Sequence, residues 1–215
     1  MNYYEYKRKV YETAIEIYSS NLVTGTWGNV SHRINSDLFI ITPSGMDYNS
    51  LESEDMLVVD KDGQVIEGKY KPSIETPMHI SIYQARPDVN AIVHVHSPYA
   101  TAFAVANKAI PVILEETAQV IGHPVEVAAY AICGSEELAD EVTQCVSNKE
   151  KAVLLANHGL VALEENMEAA LKVCFIAEKT AMIAMYASQI GQINVLSKED
   201  ILILNEDFKS YGQSK

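Results

Sequence analysis

Histidines and a glutamate in three short segments carry the chain's main chemical potential. In Ala91-Ile92-Val93-His94-Val95-His96-Ser97-Pro98, two histidines stand two residues apart inside an apolar, β-branched run. In a strand alternate side chains share a face, so His94 and His96 point together while Val93 and Val95 point away. Two imidazoles on one face can reach one metal ion at the usual Zn–N distance of about 2.0–2.1 Å. They can equally be a pair of core histidines satisfied by backbone or water. Asn157-His158-Gly159 closes the apolar run from Ala152 to Ala156 and offers a third ligand of the same type. Three histidines with an open fourth position form a catalytic rather than a structural zinc arrangement. In Pro72-Ser73-Ile74-Glu75-Thr76 an acid lies near a helix start, where the dipole favours a carboxylate; taken alone, it is a solvated first-turn glutamate. His79, one helical turn beyond Glu75, is either a fourth ligand or a partner for that carboxylate.

Two turns carry donors for an anion. Thr24-Gly25-Thr26-Trp27-Gly28-Asn29 and Thr42-Pro43-Ser44-Gly45 combine glycines, which free backbone N–H groups, with hydroxyl and amide side chains. The plainer reading of the first is a helix stop followed by a turn. His32 and His123 have no partner motif and read as structural or exposed.

These residues need a frame. Val10, Ala14, Ile17 and Tyr18 recur at helical spacing, which predicts a helix over roughly residues 3–21. Val30–Ile34 and Leu38–Ile41 around Asn35-Ser36-Asp37 predict a hairpin, as do Met56–Val59 and Gln64–Ile66 around Asp60-Lys61-Asp62-Gly63. Helices are expected at Glu75–Gln84, 99–107, 135–148, Asn166–Ser188 and from Ser197 onward. Strands are expected at the His94/His96 run, Val125–Ala128, Ala152–Ala156 and Leu160–Leu163. The fold class this implies is α/β: a three-layer sandwich with a mixed, mostly antiparallel central sheet of about eight strands and helices on both faces.

Composition bounds the function. The 215 residues, 48% of them hydrophobic, suit one globular domain spanning 1–215. Aspartate and glutamate number 29 against 16 lysines and arginines, a formal charge of −13 that argues against nucleic acid or an anionic membrane as partner. A phosphorylated substrate must then be held by local donors. Cys133, Cys145 and Cys174 form no CxxC pair and read as reduced core residues of a cytoplasmic protein. The segment Met1–Lys7 is too polar for a signal peptide, and the apolar stretch from Ala169 to Ile190 carries Lys172, Glu178 and Lys179, unlike a membrane span.

Taken in order, Gly25-Thr26-Trp27-Gly28-Asn29-Val30-Ser31, Ile41-Thr42-Pro43-Ser44-Gly45, Lys71-Pro72-Ser73-Ile74-Glu75-Thr76, His94-Val95-His96-Ser97-Pro98 and Asn157-His158-Gly159 resemble the class II aldolase/adducin family over nearly the whole chain. The resemblance implies an aldolase that cleaves a ketose 1-phosphate to dihydroxyacetone phosphate and an aldehyde. It implies Zn2+ or another divalent ion, one per subunit, on His94, His96 and His158. Glu75 is then the proton-transfer carboxylate, which can also touch the metal when substrate is absent. Phosphate contacts fall on Thr26, Gly28, Asn29, Ser44, Gly45 and Ser73. The resemblance further implies a homotetramer with sites at subunit interfaces, where Tyr211 reaches into a neighbour's site as acid–base partner at the aldehyde oxygen.

The chain departs from the family's ketose-1-phosphate aldolases at three places. Ile74 replaces a second serine of the phosphate turn, Glu115 stands where a tyrosine assists the aldehyde oxygen, and Cys133 replaces an aromatic wall residue. Glu115 or Glu116 is thus a second candidate on the aldehyde side. Related pentulose-5-phosphate 4-epimerases carry Asp where Glu75 stands, which argues against that activity. A methylthioribulose-1-phosphate dehydratase uses a similar histidine set, and an adducin-like, non-enzymatic domain lacks the ligands retained here.

Overall fold

The computed structural model describes residues 3–208 and 210. Helix α1 (Tyr4–Ser19) buries Val10, Ala14 and Ile17 along one side. Strands β1 (Asn29–Arg33) and β2 (Leu38–Ile41) close around Asn35, whose Oδ1 accepts the N–H groups of Asp37 and Leu38. Strands β3 (Leu57–Asp60) and β4 (Val65–Glu67) close the same way around Asp60, whose Oδ1 accepts from Asp62 and Gln64, with Gly63 supplying the left-handed turn at φ +78°. Both hairpins are where the turn residues predict them.

The remaining elements alternate. Helix α2 (Thr76–Ala85) precedes β5 (Ala91–Val95), followed by α3 (Pro98–Val105), α4 (Glu115–Val120), β6 (Val127–Ala128) and α5 (Glu136–Cys145). Strands β7 (Ala152–Leu155) and β8 (Gly159–Glu164), then α6 (Met167–Ile190) and α7 (Lys198–Phe208), complete the order. Side chains begin three of these helices: Ser135 accepts from Leu138 N, Asn166 from Ala169 N, and Ser197 from Asp200 N.

One eight-stranded sheet runs in the order β4-β3-β2-β1-β5-β8-β7-β6, antiparallel except between β6 and β7. Its two faces separate by strand alternation. Val30, Val93, Val95, Leu154 and Ala162 pack on one side with α1, α3 and α6. Phe39, Ile92, Val153, Val161 and Leu163 pack on the other with α2 and α5. The fold is therefore the expected three-layer α/β sandwich. Since Ile92 faces α2, alternation sends His94 to that side too, and the strand pair β5–β8 lies at mid-sheet with His94 fully buried.

The structure corrects three expectations. Strand β6 has two residues rather than four, because Val125 pairs instead with Ile110 in an isolated bridge. Helix α4 was not expected; its six residues are too few for an amphipathic period to show. Cys133 is exposed, not core. It precedes Gly134, whose φ of +77° and close approach to the Ile74 carbonyl pin this loop against the loop before α2. Among the described residues no helix is long and apolar enough to cross a membrane.

Candidate active site

Three non-consecutive segments meet where β1, β5 and β8 lie side by side. Asn29 is paired with His94 in the β1–β5 register, and Val95 with Leu160 in the β5–β8 register. His96 follows directly after β5, and His158 sits in the tight turn between β7 and β8, beside Asn157 at φ +58°. Gly159 makes the approach possible: a Cβ there would collide with the Val95 carbonyl and press on the rings of both His94 and His96.

The three imidazoles form a triangle, each pair of ring centroids 4.8 Å apart. His94 Nδ1 lies 3.0 Å from the Leu160 carbonyl, so it carries the proton and donates, leaving Nε2 bare. That bare nitrogen is 3.0 Å from His96 Nε2 and 3.1 Å from Glu75 Oε2. Burial pushes both His94 and His96 down to about 3, reinforced by His158 for both and by His94 for His96, so both are free bases at neutral pH. The His94–Glu75 contact is thus no ion pair but a meeting of lone pairs. Converging lone pairs on neutral imidazoles suit a cation, and the 3.0 Å nitrogen spacing is close to the about 3.3 Å edge of a tetrahedral zinc site. The residues fit a divalent metal. Trp27, largely exposed, lies parallel to His96 with centroids 6.5 Å apart.

Glu75 is not the solvated first-turn residue that its position alone suggests. Helix α2 begins at Thr76, and Glu75 sits one place before it with its side chain turned inward, 3% exposed. Oε2 accepts from Asn29 Nδ2 at 2.7 Å; Oε1 lies 3.5 Å from His158 Nε2 and accepts from the Cys133 thiol at 3.5 Å. Burial and the neighbouring carboxylate push that thiol up to about 12, so it stands as a protonated donor. Glu75, Cys133 and His158 also place three donor atoms within 4.8 Å, but a protonated thiol is a poor ligand beside the three-histidine set. His79 neither joins the histidine triangle nor bonds Glu75 through its side chain. Its ring lies between Asn29 and Ser31.

The two donor-rich turns and the segment before α2 are laced together. Thr42 Oγ1 accepts from Val30 N, Ser73 N donates to Thr42 O, and Ser44 N donates to Lys71 O. Ser73 Oγ accepts from Glu75 N, fixing the entry to α2. The result is one cavity of about 220 Å3 bounded by Thr26, Gly28, Asn29, Ser44, Gly45 and Ser73 on one side and by Glu75, His96 and His158 on the other. Gly28, at φ +90°, has no room for a Cβ against Val23 and the His94 carbonyl. The backbone N–H groups of Ser44 and Ser73 are already committed, so these residues offer hydroxyls rather than amides. Trp27, Pro43, Ile74 and Cys133 complete the lining, and among the described residues no lysine or arginine contributes.

Not every sequence candidate arrives here. Glu115 and Glu116 lie on α4; Glu116 pairs with Lys179, and neither bounds the cavity. His32 is buried with Nδ1 near the Arg33 carbonyl, and His123 is near the Pro124 carbonyl, both remote from the triangle. Tyr211 lies outside the described residues. Ser31 and Tyr83 were not singled out as functional: an isolated serine in a strand and a tyrosine on a buried helix face carry no signal of their own.

The family model for the class II aldolase and adducin N-terminal domain matches residues 8–185. The chain is 38% identical over 206 residues to an L-fuculose phosphate aldolase of Escherichia coli, covering 95% of this chain and 94% of that one. It is 38% identical over 196 residues to a 5-deoxy-D-ribulose 1-phosphate aldolase of Bacillus thuringiensis, covering 91% of each. A solved L-fuculose 1-phosphate aldolase superposes with a TM-score of 0.90 at 35% identity, over 95% of this chain and 96% of the other. With its fold, its histidine triangle and these likenesses in agreement, the chain belongs to the class II aldolase and adducin family, as one of its class II aldolases.

Proposed function

We propose that this protein reversibly cleaves a ketose 1-phosphate, such as L-fuculose 1-phosphate, to dihydroxyacetone phosphate and a short aldehyde. The observation that carries this reading is the convergence of His94, His96, His158 and Glu75, the last three lining one cavity with the hydroxyl-rich turns. His94, His96 and His158 would hold zinc or another divalent ion. Bound by neutral imidazoles, such an ion keeps its full charge and stabilises negative charge developing on substrate oxygens.

The chain's own groups supply the rest. Thr26, Gly28, Asn29, Ser44, Gly45 and Ser73 hold the phosphate by hydrogen bonds, which suits a cavity wall without a cation. In cleavage the C4 hydroxyl loses its proton, the C3–C4 electron pair passes to C3, and C4 leaves as the aldehyde carbon. Glu75 delivers a proton to C3, and removes it in the synthetic direction. Tyr211 of a neighbouring subunit in a homotetramer is the proposed group at the aldehyde oxygen. The setting is cytoplasmic metabolism. Fuculose and 5-deoxyribulose both end in a methyl carbon, so the two named relatives release methyl-ended aldehydes. Cys133 on the cavity wall, in place of an aromatic residue, suits such an end.

The test is to incubate metal-loaded protein with dihydroxyacetone phosphate and lactaldehyde, acetaldehyde or glycolaldehyde, and to identify the products. New ketose 1-phosphates are expected. Absence of carbon–carbon bond formation with every aldehyde, or equal kcat/KM for a ketose and its 1-phosphate, would overturn the reading. Water loss from methylthioribulose 1-phosphate in its place would reassign the site to dehydration.

A further inference from the structure

A row of buried side chains leads from Glu75 away from the cavity. Asn29 Nδ2 lies 2.7 Å from Glu75 Oε2, and Asn29 Oδ1 lies 2.6 Å from His79 Nε2. His79 Nδ1 lies 2.6 Å from Ser31 Oγ, which lies 2.8 Å from the Tyr83 hydroxyl. All five residues are buried, His79 and Tyr83 to within 1%. The row exists because two periods match. Glu75, at the N-cap of α2, and His79 and Tyr83 on the helix succeed one another by four, a helical rise of about 6 Å per step. Asn29 and Ser31 are two apart on β1, about 6.8 Å. Helix and strand side chains therefore interleave like the teeth of two combs.

The row has a single polarity. An ionised carboxylate only accepts, so Asn29 must turn its NH2 toward Glu75. Its Oδ1 then needs a donor, which makes His79 the Nε2–H tautomer with a bare Nδ1. That Nδ1 takes the Ser31 hydroxyl proton, and the Ser31 oxygen takes the proton of Tyr83. Reversing the Asn29 amide would set two acceptor oxygens against each other at 2.7 Å.

We infer that this row locks the Glu75 carboxylate in place, with His79 as its positioning residue. Oε2 is anchored through Asn29, and Oε1, facing His158 and Cys133 at the cavity, is the oxygen that moves the proton. His79 touches no substrate; it acts by holding the Asn29 amide. The inference rests on Glu75 being the proton-transfer group of the proposed reaction.

Two measurements on the zinc-loaded protein test it. The first needs no turnover: ¹⁵N NMR of the histidine rings, with His79 assigned by its loss in His79→Gln, is expected to show a protonated Nε2 and a bare Nδ1. The second follows exchange of the C3 proton of dihydroxyacetone phosphate with deuterated water. His79→Leu is expected to slow exchange about 10–100-fold, as for a misplaced reacting group, with zinc content retained and KM within about three-fold of wild type. His79→Gln, whose amide can still donate to Asn29, should recover to within about five-fold of wild type. A bare Nε2 or an imidazolium at His79 would overturn the inference, as would exchange within two-fold of wild type in His79→Leu. Should the leucine variant not fold, the tautomer and the glutamine variant decide: exchange in His79→Gln as slow as in Glu75→Gln counts against it. If wild-type protein shows no exchange at all, the proposed reaction fails, while the tautomer still decides whether the row is wired as described.

Discussion

Asn29 and His94 stand opposite one another in the β1–β5 ladder, and both reach the same oxygen of Glu75, at 2.7 and 3.1 Å. Strand register thus joins the donor-rich turn ending at Asn29, the histidine triangle and the carboxylate. The sequence reading gives Asn29 to the phosphate alone. In the structure one of its amide hydrogens belongs to Glu75, and the other remains available to the cavity it lines.

Metal dependence follows from the triangle. His94→Ala and His158→Ala are expected to lose the ion and the activity together, because two imidazoles remain where three converge. His123→Ala, at a site bonded to the Pro124 carbonyl and distant from the triangle, should keep full metal content. Elemental analysis of the purified variants reads this directly. Undiminished activity after verified metal removal from wild type would refute it.

Glu75→Gln keeps the size of the side chain and a carbonyl for Asn29 to bond, but cannot accept a proton at working pH. Metal content and substrate binding should survive, and the rate should fall by about 10²–10⁴. Proton exchange at C3 of dihydroxyacetone phosphate isolates the step, since it needs no aldehyde. Exchange at the wild-type rate would assign the base elsewhere.

Gly159→Ala probes packing rather than chemistry. The added methyl would run into the Val95 carbonyl and press on the rings of His94 and His96. Overpacking of this kind costs about 1–3 kcal/mol, and each kcal/mol lowers Tm by about 2–4 °C in a chain of this size. A thermal melt of the metal-free protein should show that loss, and metal affinity should weaken as the rings are displaced. An unchanged Tm would mean that β5 and β8 yield at this point.

Acid should destabilise the metal-free protein early. His79, His94 and His96 are held by burial near 3, whereas in the unfolded chain they titrate near 6.5. Between these values the unfolded state binds more protons. Their contribution to stability is therefore complete above about 6.5 and is lost progressively as pH falls towards 3. Urea midpoints should be flat from about pH 7 to 8 as regards these groups, and should fall between about pH 6.5 and 5. A midpoint independent of pH over the lower range would show that the rings are not buried as neutral bases.

Much of this was legible in the sequence for physical reasons particular to each element. The period-two spacing of His94 and His96 gave their shared face, and Asn35 and Asp60 gave the two hairpins through side-chain bonds local to their turns. Long-range register was not legible. Nothing local reveals that Asn29 pairs with His94, or that His79 reaches Glu75 through Asn29 rather than directly. The exposure of Cys133 is not legible because its environment is set by Gly134 closing on Ile74, a contact between loops far apart in sequence. Ser31 and Tyr83 become informative only once α2 lies across β1.

The sheet order has a consequence for how the histidine triangle is assembled. His94 lies in β5, His96 just after it and His158 just before β8; these strands are neighbours in the sheet but are separated in sequence by three helices and two strands. Local structure alone cannot bring His158 to His94; the loop between them must close first, at an entropic cost that only the completed sheet offsets. An ion held by all three histidines would therefore bind at the end of folding rather than its beginning. An ion that binds only the finished sheet also deepens the native basin in proportion to the logarithm of its free concentration.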